Sequence, residues 1–159
     1  MGKIKTNAMR ILDSRKIEYK HYEYDESTTD GLLVAQLLGQ SREKVFKTLV
    51  TVSPTKNYYV FIIPVGLNLD LKKAAKAAGE KSIAMIKQKE LLPLTGYIHG
   101  GCSPVGMKKK FPTFIHSTAL GEETLCVSAG HVGNQIEVNT KALIDLVEAI
   151  PCDLIVNIE

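Results

Sequence analysis

A mixed α/β fold is predicted by three features of the sequence. Segments with apolar residues at helical spacing alternate with short β-branched and aromatic runs, the pattern of interleaved helices and strands. Two of those runs, Val45 to Val52 and Tyr58 to Pro64, flank a turn around Ser53 to Asn57 and read as a hairpin. The 159 residues, 45% of them hydrophobic, suffice for one core. No repeat, low-complexity tract or Gly/Ser/Pro-rich linker divides them, so residues 1–159 are read as one domain.

The first element is a helix capped by Thr6 or Asn7, with Ala8, Ile11 and Leu12 on one face. Ile17 to Tyr24 then switches to a tyrosine-rich strand pattern. A short helix over Leu32 to Leu38 stops at Gly39, and Ser41 is placed to cap one further turn. After the hairpin, Asp70 caps a helix through Leu71, Ala74, Ala75 and Ala78, which Gly79 closes. A short strand at Ile83 to Ile86 and a helical turn over Gln88 to Leu92 follow. Thr95 to Pro112 is the stretch densest in glycine and proline and reads as a shaped loop. Strands at Thr113 to His116, Leu125 to Ser128 and Gln135 to Val138 come next. A helix capped by Thr140, with Leu143, Ile144 and Val147 on one face, and a strand at Asp153 to Ile158 complete seven or eight strands and four or five helices.

Composition narrows the function classes. The longest apolar runs, such as Tyr58 to Val65, are far shorter than the roughly 20 residues of a membrane-spanning helix. With no signal-peptide core at the N-terminus, a soluble cytoplasmic protein without membrane contact is expected. Met1 to Thr6 fits the permissive N-myristoylation pattern but is not read as a lipid signal. Cys102, Cys126 and Cys152 are odd in number, widely spaced and without a CxxC pair, which argues against a disulfide framework or a zinc site. His21, His99, His116 and His131 show no metal-ligand spacing, and phosphate-loop and dinucleotide fingerprints are missing, so neither metal nor cofactor is expected. The net charge of +3, from 20 Lys+Arg against 17 Asp+Glu, permits nucleic-acid contact without demanding it.

Lys47 is the most informative single residue. Its strand alternates Val45, Leu49 and Thr51 on one face with Phe46, Thr48, Val50 and Val52 on the other, so both faces read as buried. A lysine there either snorkels to water at an edge or sits in a pocket with an anionic partner, because an unpaired buried ammonium is costly. The loop Gly100-Gly101-Cys102-Ser103-Pro104-Val105-Gly106 is either a tight structural turn or a site where backbone N–H groups approach a ligand. Ser128-Ala129-Gly130-His131 reads equally as a pocket wall or a turn. Cys102 with His99 or His131 would suit a cysteine hydrolase, yet no G-x-S-x-G elbow and no acidic residue placed to orient a histidine supports it. Lys108, Lys109 and Lys110 form a basic edge that would suit a phosphate backbone.

Taken in order, Val45-Phe46-Lys47-Thr48-Leu49, Leu69-Asp70-Leu71-Lys72-Lys73, Gly96-Tyr97, the Gly100 to Gly106 loop and Val127-Ser128-Ala129-Gly130 resemble the YbaK/ProX family over nearly the whole chain. That family comprises free-standing aminoacyl-tRNA deacylases related to the editing domain of bacterial prolyl-tRNA synthetase. The resemblance implies a barrel-like mixed β core flanked by helices, with a pocket for the aminoacylated terminal adenosine around the strand lysine and the glycine loop. By the same match Lys47 and Gly101 are the catalytic candidates, and Tyr22, Asp30, Thr48, Gly100, Cys102, Ser103, Pro104, Ser128, Gly130 and Gln135 the substrate-binding ones. Lys108, Lys109 and Lys110 are the candidates for tRNA contact. Asp30 stands roughly where other members carry an aromatic pocket residue, and Gln135 where an acidic residue can occur.

The Gly-Gly-x-Ser-Pro-x-Gly loop followed by a basic run and Pro112-Thr113 resembles the branch acting on Cys-tRNA(Pro). The implied function is trans-editing of mischarged cysteine on tRNA(Pro), and of Cys-tRNA(Cys), with the substrate's own thiol assisting. Aminoacylated tRNA and prolyl-tRNA synthetase are the implied partners of a monomer or weak homodimer. The alternatives are a deacylase preferring alanine or another small amino acid, or a non-catalytic module binding tRNA or a synthetase.

Overall fold

A computed structural model describes residues 4–24 and 30–157. The lipidation pattern at residues 1–3 and Ile158 of the last expected strand lie outside the described residues. Helix α1 (Asn7–Ser14) starts where the Thr6 hydroxyl accepts the Met9 N–H at 3.2 Å. Strand β1 (Tyr19–Glu23) follows, and α2 (Gly31–Leu38) is capped by the Asp30 carboxylate on the Leu32 N–H at 3.0 Å. The hairpin of β2 (Phe46–Val52) and β3 (Tyr58–Pro64) forms as expected. Asp70 caps α3 (Leu71–Ala78) through the N–H groups of Lys72 and Lys73. Next come β4 (Ala84–Met85), α4 (Gln88–Thr95), β5 (Thr113–His116), β6 (Thr124–Ser128), β7 (Asn134–Asn139), α5 (Thr140–Val147) and β8 (Ile150–Cys152).

Three boundaries differ from the sequence reading. The turn expected over Gln88 to Leu92 continues as α4 through Pro93, helped by the Thr95 hydroxyl donating to the Leu91 carbonyl at 2.7 Å. Asn139, not Thr140, caps α5, its side-chain oxygen accepting the Ala142 N–H at 2.9 Å. The last strand lies earlier, at β8, and Ile155 makes only an isolated bridge with Leu69. Pro151 is tolerated in β8 because that strand is a sheet edge, where a missing N–H costs no ladder bond.

The strands form two sheets, ordered β1-β7-β6 and β4-β2-β3-β5-β8. They meet at a bridge between Val45 and Cys126, with the Cys126 N–H donating to the Lys44 carbonyl at 3.0 Å, so the expected barrel-like core is an open pair of sheets and no closed barrel. Between the sheets lie Phe46, Val50, Val60, Ile62 and Ile115 of the larger one and Leu125, Val127, Ile136 and Val138 of the smaller, joined by Ala8, Met9 and Leu12 of α1. Each such large side chain contributes about 1.5–3 kcal/mol on burial. The opposite face of the larger sheet packs Phe61, Ile63 and Phe114 on Ala74 and Ala75 of α3, with the Phe61 and Phe114 rings stacked 5.3 Å apart. The hairpin is therefore covered on both faces, which is why its strands read as continuous apolar runs.

Candidate active site

On its side away from β3, strand β2 is held only near its ends. Val45 bridges to β6, while Thr51 and Val52 pair with Met85 and Ala84 of β4. Among the described residues no strand pairs with that side of residues 46–49, and Lys47 lies in this gap between the sheets. A cavity of about 160 Å³ occupies the gap. Lys47, Thr48 and Leu49 line it with Val34 of α2 and Leu91 of α4; His99, Gly100 and Cys102 enter from the glycine loop, and Ser128 and Gln135 from the smaller sheet.

The Lys47 ammonium is half-buried, burial lowers its pKa, and among the described residues no carboxylate pairs with it. Such an ammonium on a cavity wall suits an anionic ligand group. Gln135 pairs in register with Tyr22 on one side and Ser128 on the other, so the three side chains share one face of the smaller sheet. Gln135 is 7% exposed, and its buried Oε1 has no hydrogen-bond partner among the described residues. An acceptor buried on a cavity wall without a donor costs about 1–3 kcal/mol and marks a place for a ligand donor. The Ser128 hydroxyl accepts the Gly130 N–H at 3.1 Å.

The glycine loop is arranged differently from expectation. The Gly101 N–H donates to the Ile98 carbonyl at 3.0 Å, so it is spent on a turn and is not free to receive an oxyanion. Gly101 is needed for close approach: a Cβ there would lie 3.0 Å from the Val132 nitrogen. Among the described residues the N–H groups of Gly100 and Cys102 donate to no protein acceptor, and both residues line the cavity. Burial pushes the Cys102 thiol up to about 12, which keeps it protonated and removes the basis for a cysteine hydrolase.

Other expected site residues lie outside the cavity wall. The Tyr22 hydroxyl donates to Glu137 Oε1 at 2.7 Å and accepts from Gln40 Nε2 at 3.3 Å. Asp30 serves the α2 cap on an exposed surface. Ser103 is fully buried with its hydroxyl accepting the Val105 N–H, and Pro104 borders a different groove. Gly130 packs against the Tyr97 ring. Lys108, Lys109 and Lys110 are exposed, away from the cavity, and Lys110 pairs with Glu148.

Sequence reading missed two features. His99 lines the cavity but entered only a discarded reading. The cluster around Glu137 left no local signal, because Lys44, Thr124 and Tyr22 reach that carboxylate from three separate segments. Among the described residues no group of three or more His, Cys, Asp or Glu side chains could hold a metal ion. No helix there is long and apolar enough to cross a membrane.

Residues 26–146 match the family model described as "Aminoacyl-tRNA editing domain". A protein of Enterococcus faecalis named "Putative Cys-tRNA(Pro)/Cys-tRNA(Cys) deacylase EbsC" is 46% identical over 144 residues, covering 89% of this chain and 88% of that protein. A solved structure described as "a putative trans-editing enzyme for prolyl tRNA synthetase" superposes with a TM-score of 0.84 at 25% identity, covering 98% of this chain and 100% of that one. A hypothetical protein at 21% identity superposes with a TM-score of 0.85, covering 92% of this chain and 97% of that one, a likeness of fold. A family match across most of the chain, joined to a relative this similar over nearly its full length, leads to one conclusion: the chain belongs to the aminoacyl-tRNA editing domains, enzymes that deacylate aminoacyl-tRNA.

Proposed function

We propose that this chain removes cysteine from mischarged tRNA(Pro), with Cys-tRNA(Cys) as a second substrate. The observation that carries the reading is Lys47, a half-buried ammonium on the wall of a small cavity with no carboxylate partner among the described residues. An ammonium so placed attracts phosphate or ribose oxygens of a terminal adenosine. The aminoacyl ester is already activated, so positioning and oxyanion stabilisation suffice. The N–H groups of Gly100 and Cys102 are the oxyanion donors, and Gln135 Oε1 accepts from the substrate's α-ammonium.

The choice of cysteine is supported by the name of the 46% identical relative and by the small, largely aliphatic cavity. The substrate thiol attacks its own ester carbonyl, and the ribose oxygen leaves as a cyclic thioester forms. Lys108 and Lys109 then face the RNA backbone. The chain works in the cytoplasm as a monomer or weak homodimer beside prolyl-tRNA synthetase, whose errors it clears.

The test is deacylation of tRNA charged with cysteine, alanine or serine by the wild type and Lys47→Ala. Cysteine is expected to be released fastest, and Lys47→Ala to lose about 100-fold in kcat/KM. Undiminished activity in Lys47→Ala removes the role of Lys47. Equal rates on alanine favour a small-amino-acid deacylase, and salt-dependent tRNA binding without turnover favours a binding module.

A further inference from the structure

Attack on an ester carbonyl by a thiol or by water leaves a proton to be taken up, and the departing ribose oxygen needs one back. Among the described residues, the titratable side chains lining the cavity are Tyr24, Lys47, His99 and Cys102. Phenols and buried thiols hold their protons at neutral pH, and the Lys47 ammonium serves as a cation. Imidazole is the side chain that exchanges a proton in that range.

The local geometry presents His99 for this task. The Gly101 N–H closes a turn onto the Ile98 carbonyl, with His99 and Gly100 as its central residues. Gly100, at φ 84°, takes the left-handed position that a type II turn requires of its third residue. His99 is thereby held at the turn's outer corner, exposed and on the cavity wall.

We propose that His99 is the proton acceptor of the deacylation. Its imidazole takes the proton of the attacking group as the new bond to the carbonyl carbon forms. It returns that proton to the ribose oxygen as the ester C–O bond breaks. This rests on the deacylase reading above.

The test is the pH profile of Cys-tRNA(Pro) deacylation across the imidazole titration range, for wild type, His99→Gln and His99→Ala. The wild type is expected to lose activity on the acid side. His99→Gln is expected to lower kcat about 100-fold with KM unchanged and to lack that acid limb. Added imidazole is expected to restore part of the His99→Ala activity. Because His99 is exposed, both variants are expected to keep the wild-type near-ultraviolet spectrum. A His99→Gln kcat within about twofold of wild type, a retained acid limb, or a change in KM alone would overturn the proposal. A wild type that releases no amino acid from any charged tRNA overturns the deacylase reading itself.

Discussion

The Lys44 ammonium lies 2.6 Å from Glu137 Oε2, and through this pair the turn leading into the Lys47 strand is tied to the sheet that carries Gln135. The Glu137 side chain is only 10% exposed. Burial on its own raises the Glu137 pKa, but the Lys44 ammonium, the Thr124 hydroxyl and the Tyr22 hydroxyl outweigh it and hold the carboxyl down at about 2. The two walls of the cavity therefore share one charged fastening.

Its pH signature follows from the sign of that shift. The folded value lies below the usual 4.5, so the unfolded chain binds the proton more readily. The contribution, on the order of 3 kcal/mol, is fully present above pH 4.5 and is lost as pH falls through 4.5 toward 2. Glu137→Gln is expected to destabilise by about 2–3 kcal/mol at neutral pH, with the gap closing in acid. Urea unfolding at both pH values measures it, and parallel curves at the two pH values would contradict the assignment.

Gly130 and Gly39 separate backbone strain from steric conflict. Gly39 closes α2 at φ 68°, with nothing within 4 Å of the place an added methyl would take, so Gly39→Ala is expected to cost about 1–2 kcal/mol. Gly130 has φ 98°, and a Cβ there would lie 2.8 Å from Tyr97 Cε1. The Tyr97 hydroxyl donates to the Val105 carbonyl at 2.5 Å, so the ring cannot swing aside without breaking that bond. Gly130→Ala is expected to cost about 3 kcal/mol or more. Equal losses in thermal unfolding would show that the ring yields.

Gln135 is expected to matter more to turnover than to folding. Gln135→Leu removes the unpartnered Oε1, so stability is expected to hold or rise by about 1 kcal/mol. Its kcat/KM on Cys-tRNA(Pro) is expected to fall about 10-fold or more, whereas Gln135→Glu keeps an acceptor for an ammonium and stays closer to wild type. Wild-type turnover by the leucine variant would remove Gln135 from the substrate contacts.

Local signals were legible in the sequence, and long-range ones were not. Asp70 and Gly79 bracket α3 as read, because capping is settled within one turn of chain. The extension of α4 through Pro93 and the place of β8 were not legible, since a side-chain bond from Thr95 and an edge position decide those segments. At the site, Lys47, Thr48, Gly100, Cys102, Ser128 and Gln135 converge on the cavity. The Tyr22 hydroxyl instead bonds to Glu137, the Gly101 N–H to the Ile98 carbonyl, and Gly130 packs on the Tyr97 ring, partners that the sequence reading did not anticipate.

Lys47 itself sets function against stability. Burial lowers its pKa from 10.5, so the folded protein binds this proton less readily than the unfolded chain. The cost of the buried charge is thus full below the folded value and is relieved as pH rises from there toward 10.5. Lys47→Met fits an apolar strand without that cost, and is expected to stabilise by on the order of 1 kcal/mol at neutral pH, with the difference shrinking in alkali. A bound anion acts in the opposite direction, raising the Lys47 pKa, so substrate affinity is full below the free-protein value and declines as pH rises through it. Unfolding of Lys47→Met at neutral and alkaline pH, together with KM for Cys-tRNA(Pro) in the wild type over the same range, checks both halves. A methionine variant less stable than wild type, or a KM indifferent to alkali, would mean that Lys47 already has its counter-charge within the protein.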